Sequence, residues 1–105
     1  MSELTIDHTV KDGVNVLTMT GRMTMMTCKD LQNYVDTTIK EGSNIIFNLV
    51  GIENDGIDSF GIGVVVKTKV ILDKKKGQFK VIVNKSIERL FRKCRLNEYI
   101  ILELR

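Results

Sequence analysis

The sequence predicts a single α/β domain of element order ββαβαβαβ, with a mixed, mostly parallel sheet of about five strands and helices packed against it. Three observations predict it. The chain has 105 residues, a length suited to one hydrophobic core. Its first two apolar segments alternate with period two across a short glycine turn, as a hairpin does. Beyond them, segments with apolar residues three and four apart alternate with short β-rich runs, the pattern of helices crossing between parallel strands.

Residues 4–9 alternate, Leu4 and Ile6 with Thr5 and Asp7 between, and are read as the first strand. Lys11-Asp12-Gly13 is a turn signal. Val14, Val16 and Met19 with Thr18 and Thr20 make the second strand, which Gly21 closes. His8 has no second ligand or nucleophile beside it and is read as a surface residue. Met23, Met25 and Met26 are expected to anchor the next loop in the core. Thr27 stands as a helix cap with Asp30 in the first turn. Cys28, Leu31, Tyr34, Val35, Thr38 and Ile39 supply the apolar face of that helix, and Gly42 the stop.

Residues 45–49, apolar on both faces apart from Asn48, suit a central strand. Residues 50–57 are read as an acidic loop. Residues 60–76 are rich in β-branched side chains, which disfavour helix. Ile62, Val65, Val66, Val70 and Asp73 nevertheless fall three and four apart, and the segment is too long for one ordinary strand, so helix is favoured. Residues 78–83 alternate through Phe79, Val81 and Val83 as a fourth strand. Ser86 then leads a short amphipathic helix with Ile87, Leu90, Phe91 and Cys94 on its apolar side and cations gathered in its last turn. Residues 99–104 make the last strand.

Composition bounds the function. An apolar share of 43% and a charged share of 28% are ordinary for a soluble domain. No window holds the ~18 apolar residues that cross a bilayer. Met1-Ser2-Glu3 does not open a signal peptide, so a cytoplasmic protein is expected. Cys28 and Cys94 both fall on apolar helix positions and are expected as buried free thiols. With one histidine and no CxxC, neither a zinc site nor any other cofactor is expected. Glu53, Asn54, Asp55 and Asp58 lack the spacing of a calcium loop. The net charge of +3 hides an asymmetry: residues 1–60 hold 4 Lys/Arg against 9 Asp/Glu, and residues 61–105 hold 12 against 4. This predicts two faces of opposite sign, suited to a charged partner. The basic half carries few aromatics and no nucleic-acid motif, so a solvated helix face is the better reading of it.

The stretch 48–63, NLVGIENDGIDSFGIG, concentrates the candidate chemistry. Ser59 lies where a helix begins, and first-turn amides have no helical partner. A neutral serine there caps the helix. A phosphoserine would gain from the same amides and from the positive end of the dipole. No histidine lies near Ser59, GxSxG is absent, and Gly61-Ile62-Gly63 lacks the third glycine and lysine of a phosphate-binding loop, so catalysis is not expected. Each of Gly61 and Gly63 costs about 1 kcal/mol relative to alanine inside a helix. That cost fits either a close approach to this first turn from outside or a packed helix–strand contact.

These residues resemble a STAS domain of the anti-sigma-factor antagonist type over nearly the whole chain, 1–105. Gly21, Phe47-Asn48-Leu49, Gly51-Ile52, Lys76-Gly77-Gln78-Phe79 and Ser86-Ile87-Glu88-Arg89-Leu90-Phe91 carry the resemblance. At its centre is Asp58-Ser59-Phe60-Gly61-Ile62-Gly63, where the family shows Asp-Ser-Ser-Gly-Leu-Gly. The resemblance implies a bacterial regulator of transcription without enzymatic activity. Unmodified, such an antagonist binds an anti-sigma factor that is also a GHKL-type serine kinase. Phosphorylation at the serine matching Ser59 breaks that complex, and a PP2C-type phosphatase restores it. The implied partner surface comprises Asp58, Ser59, Phe60, Gly61, Ile62 and Gly63 with Thr24 and Met25, on a monomer or weak dimer. Thr24 stands where the family often has an acid, Asn48 replaces the acid usual at the end of the central strand, and Phe60 replaces a small residue. A STAS module of a larger sensory or transport assembly, bound without switching, is the alternative.

Overall fold

A computed structural model describes residues 3–105; Met1 and Ser2, on which the signal-peptide reading fell, lie outside the described residues. The observed order is β1 (Thr5–Lys11), β2 (Val14–Met23), α1 (Cys28–Thr38), β3 (Asn44–Ile57), α2 (Ser59–Lys74), β4 (Gln78–Val83), α3 (Lys85–Lys93), a 3-10 turn (Leu96–Glu98) and β5 (Ile101–Leu104). This is the expected ββαβαβαβ order; the 3-10 turn is an addition. The five strands lie side by side in chain order. β1 and β2 are antiparallel, while β2–β3, β3–β4 and β4–β5 are parallel.

The hairpin turn puts Asp12 and Gly13 at φ 52° and 79°, the left-handed pair that a two-residue turn matching the strand twist requires. From β2 onward each parallel neighbour is added on the same side. Right-handed crossovers then place α1, α2 and α3 on one face of the sheet. Burial agrees with this. Leu17, Met19, Ile45, Phe47, Leu49, Phe79, Val81 and Val83 are buried and share that face by strand alternation. Phe47 and Phe79 meet edge to face at 4.9 Å, a favoured aromatic geometry. The other face carries Thr18, Asn48 and the Lys80–Glu103 ion pair of 2.9 Å.

Several expectations change. β2 does not stop at Gly21: that residue, at φ 103°, is a bend within the strand, and a Cβ there would collide with the Glu3 carbonyl oxygen. Because β2 runs on to Met23, the acidic segment 50–57 has an edge to pair with and is strand, not loop. Between Gly21↔Ile52 and Met23↔Ile57, β3 advances five positions while β2 advances two. The excess is a bulge with Asp55 at φ 56°. Thr27 makes no side-chain cap to α1. Its hydroxyl instead donates to the Arg22 carbonyl at 2.9 Å and accepts from the Thr24 amide at 3.1 Å.

The apolar face of α2 is Gly61, Val64, Val65, Thr68 and Leu72; Val66, Val70 and Asp73 are exposed. The buried Thr68 hydroxyl donates to the Val64 carbonyl at 2.7 Å, so a polar group sits in that face at little cost. Asn84, not Ser86, caps α3, accepting from the Ile87 amide at 2.9 Å. Cys94 is exposed, unlike the buried Cys28, because α3 ends at Lys93 and Arg95 turns the chain away at φ 60°. Met23 is buried as expected, but Met25 and Met26 are exposed. His8 is no free surface ring: it is half-buried, linked to the Tyr34 hydroxyl at 2.7 Å and to Asn15 Oδ1 at 2.9 Å. The pair ties β1 to α1.

Candidate functional site

The site lies at the C-terminal ends of β2 and β3, where parallel strands open toward their crossover helices. Asp58 organises it. Its backbone is extended at φ −104° and ψ −171°, as an N-cap requires. Oδ1 accepts from the Phe60 amide at 2.9 Å and the Gly61 amide at 3.0 Å. Oδ2 accepts from the Met25 amide at 2.9 Å, and the Asp58 amide donates to the Met23 carbonyl at 3.2 Å. One residue therefore caps α2 and fastens it to the turn after β2. The N-cap is Asp58, and Ser59 is the first residue of the helix instead of its cap.

Ser59 is exposed. The amides expected to receive a phosphoserine are in part taken, since Phe60 and Gly61 already donate to Asp58. Phe60 and Met25, on the two sides of the Asp58 clasp, are 54% and 60% exposed. Thr24 is half-buried, and its carbonyl accepts from the Thr27 and Cys28 amides, both at 2.9 Å. Ile62 is half-buried against the core.

The two glycines separate. A Cβ on Gly61 would stand 2.4 Å from the Met23 carbonyl oxygen and 2.9 Å from Ile57 Cγ2, so Gly61 serves a packed helix–strand contact. Gly63 is exposed, with nothing within 4 Å of a Cβ built there.

Desolvation alone would raise the Asp58 pKa, but the amides of Met25, Gly61 and Phe60 outweigh it and hold the carboxylate below the ordinary value. The buried Cys28 thiol goes the other way, pushed up to about 11 by desolvation and by the nearby Asp58 charge, against a hydrogen bond with Thr27. Cys28 is thus an inert thiol close to the site. Among the described residues no three His, Cys, Asp or Glu side chains gather as metal ligands.

The charges of the two halves do not part into two clean faces. Glu53 and Asp55 of the bulge share a cleft of about 450 Å³ with Arg89 and Lys93 of α3, and Glu53 also pairs with Arg22 at 3.6 Å. Asp73, Glu88, Glu98 and Glu103, the four acids of the basic half, each pair with a cation. No helix among the described residues is long and apolar enough to cross a membrane.

Sequence reasoning placed Ser59, Phe60 and Met25 at one site, and the fold brings them together. It missed the role of Asp58 as the tie between two loops. The signal for half of that was present, since Asp is among the strongest N-cap residues and stands directly before a helical run; its bond to Met25, 33 residues away, had none.

The family model for the STAS domain matches residues 5–105. Among solved structures, an anti-sigma factor antagonist from Mycobacterium paratuberculosis superposes with a TM-score of 0.85 at 21% identity, covering 96% of this chain and 86% of that one. A protein of Thermotoga maritima assigned as an anti-sigma factor antagonist superposes with a TM-score of 0.82 at 20% identity, covering 93% and 85%. No curated protein matches the chain.

Proposed function

The chain belongs to the STAS domain family, and from that premise we propose that it is an anti-sigma factor antagonist switched by phosphorylation of Ser59. In the unmodified state the patch around Ser59, with Phe60 and Met25 as apolar anchors, docks on an anti-sigma factor that is also a GHKL-type serine kinase. Docking frees a sigma factor for transcription. The kinase then transfers a phosphoryl group to Ser59 and the complex parts; a PP2C-type phosphatase resets it. The protein works in the bacterial cytoplasm as a binding partner and substrate, without catalysing a reaction itself.

The observation that supports this reading most is the exposed hydroxyl of Ser59 on the first turn of α2, within a frame pinned by Asp58. A hydroxyl that a kinase must reach has to be open, and a surface that must recognise a partner has to be rigid. A phosphate would add about −1.5 to −2 charges and three acceptor oxygens there. Asp58 already carries negative charge beside it and already holds two of the first-turn amides. The new charge is therefore left facing the partner instead of being absorbed by the helix end, and the switch operates through charge and bulk without refolding the domain.

The test incubates the protein with its candidate kinase and ATP and maps the modified peptide by mass spectrometry; modification at other residues with Ser59 untouched defeats the proposal. In parallel, Ser59→Asp is expected to weaken partner binding about tenfold or more, roughly 1.4 kcal/mol, while Ser59→Ala retains it. Equal affinity of the two variants removes Ser59 as the switch.

A further inference from the structure

The cleft of about 450 Å³ between β3 and α3 has walls that carry opposite charges. One wall is the β3 bulge, and its shape is fixed. Arg22 holds it twice, donating from Nη2 to the Asp55 carbonyl at 3.2 Å and pairing with Glu53 at 3.6 Å. Asp55 is left-handed at φ 56°, and a Cβ on Gly56 would stand 2.7 Å from the Glu53 carbonyl oxygen. The other wall is α3, where Ser86, Arg89, Leu90 and Lys93 line the cleft at helical spacing. Ile57 and Ile87 join Leu90 as its apolar lining. Among the described residues, Asp55, Arg89 and Lys93 form no ion pair, although their neighbours Glu53, Glu88 and Arg92 do. Charges of both signs therefore border one cleft without neutralising each other across it.

We propose that this cleft binds a small zwitterion with an aliphatic body, the chemistry shared by a free amino acid and a short apolar peptide. Its carboxylate sits on Arg89 and Lys93 and its ammonium on Asp55, with the aliphatic part against Ile57, Ile87 and Leu90. Other ligand classes fit worse. Inorganic phosphate or a metal ion would each meet one wall of its own sign. A nucleotide carries net negative charge and finds no aromatic ring in the lining to stack on. A polypeptide adding as a further strand needs a regular edge, and here β3 advances five positions while β2 advances two. A zwitterion satisfies both walls at once. The guanidinium of Arg89 presents a fork suited to a carboxylate, and each end of the ligand forms charge-assisted hydrogen bonds. The volume also lies within the roughly 300–1,000 Å³ of small-ligand sites. The cleft shares no residue with the patch around Ser59, so binding does not depend on the proposed switch.

The test titrates the full chain with leucine and, separately, with leucyl-leucine, to about 10 mM, and follows the backbone amide signals by NMR. Saturable shifts are expected at Gly56, Ile57, Ile87 and Leu90, and the tighter of the two ligands tells a free amino acid from a peptide. Capping either charge, as N-acetyl or amide forms of the same ligands do, is expected to weaken binding at least ~tenfold. Asp55→Asn and Arg89→Gln, both at exposed positions, are expected to do the same with circular dichroism unchanged. Absence of shifts with both ligands, shifts confined to residues away from the cleft, or undiminished binding by the capped ligands or by the two variants overturns the proposal.

Discussion

At Asp58 a single carboxylate accepts from the amides of Phe60, Gly61 and Met25, so removing it loosens both a helix end and the turn beside it. Asp58→Ala is expected to cost about 1–2 kcal/mol at neutral pH, measured by urea unfolding. Its pKa is lowered by folding. The stabilisation is then complete above the unfolded value of 3.8 and is lost as pH falls through the lower folded value. The gap between wild type and Asp58→Ala should accordingly hold steady above about pH 5 and close under acid; a gap that widens on acidification contradicts the assignment. The two cysteines give a second residue-scale check. Cys28 is buried with its pKa pushed up to about 11, and Cys94 is exposed. Only the thiolate reacts, so a disulfide reagent at pH 8 should label Cys94 alone in the native protein and both after denaturation. Native labelling of Cys28 at a similar rate would show that its burial is misread.

Helix α2 shows how an element can form against its own propensities. Val64, Val65, Val66, Val70 and Ile71 disfavour helix locally, yet Val64, Val65, Thr68 and Leu72 are buried against the sheet, and that packing decides the conformation. Its two glycines have opposite consequences. Gly61→Ala drives a methyl group against the Met23 carbonyl oxygen and Ile57 and is expected to destabilise by about 1–3 kcal/mol. Gly63→Ala meets open space and is expected to stabilise by about 0.5–1 kcal/mol. Thermal melts of the two variants should shift in opposite directions. Shifts of the same sign would mean that the first turn of α2 can slide relative to β2 and β3.

For the molecule as a whole, the sheet order sets a gradient of protection. β3 is paired on both sides, while β1 and β5 each have one partner. Local opening is least costly where contacts are fewest. Amide exchange should therefore be slowest in β3 and β4 and faster in β5. The same order keeps all three crossovers on one face of the sheet.

The order ββαβαβαβ, the five-strand sheet, the α1 face from Cys28 to Ile39 and the β4 alternation were legible from the sequence, because period and turn chemistry are local properties that the chain carries along itself. That residues 58–60 stand at the start of a helix was legible for the same reason. Tertiary structure alone decided that residues 50–57 are strand, that α2 turns Val64 and not Val66 inward, that Cys94 is open, and that Asp58 holds Met25. Each of those outcomes depends on a neighbour far away in the chain: the extension of β2 past Gly21, the sheet beneath α2, the left-handed turn at Arg95, and an amide that lies 33 residues from its acceptor. A pattern read along one strand of sequence carries no information about which distant edge it will meet.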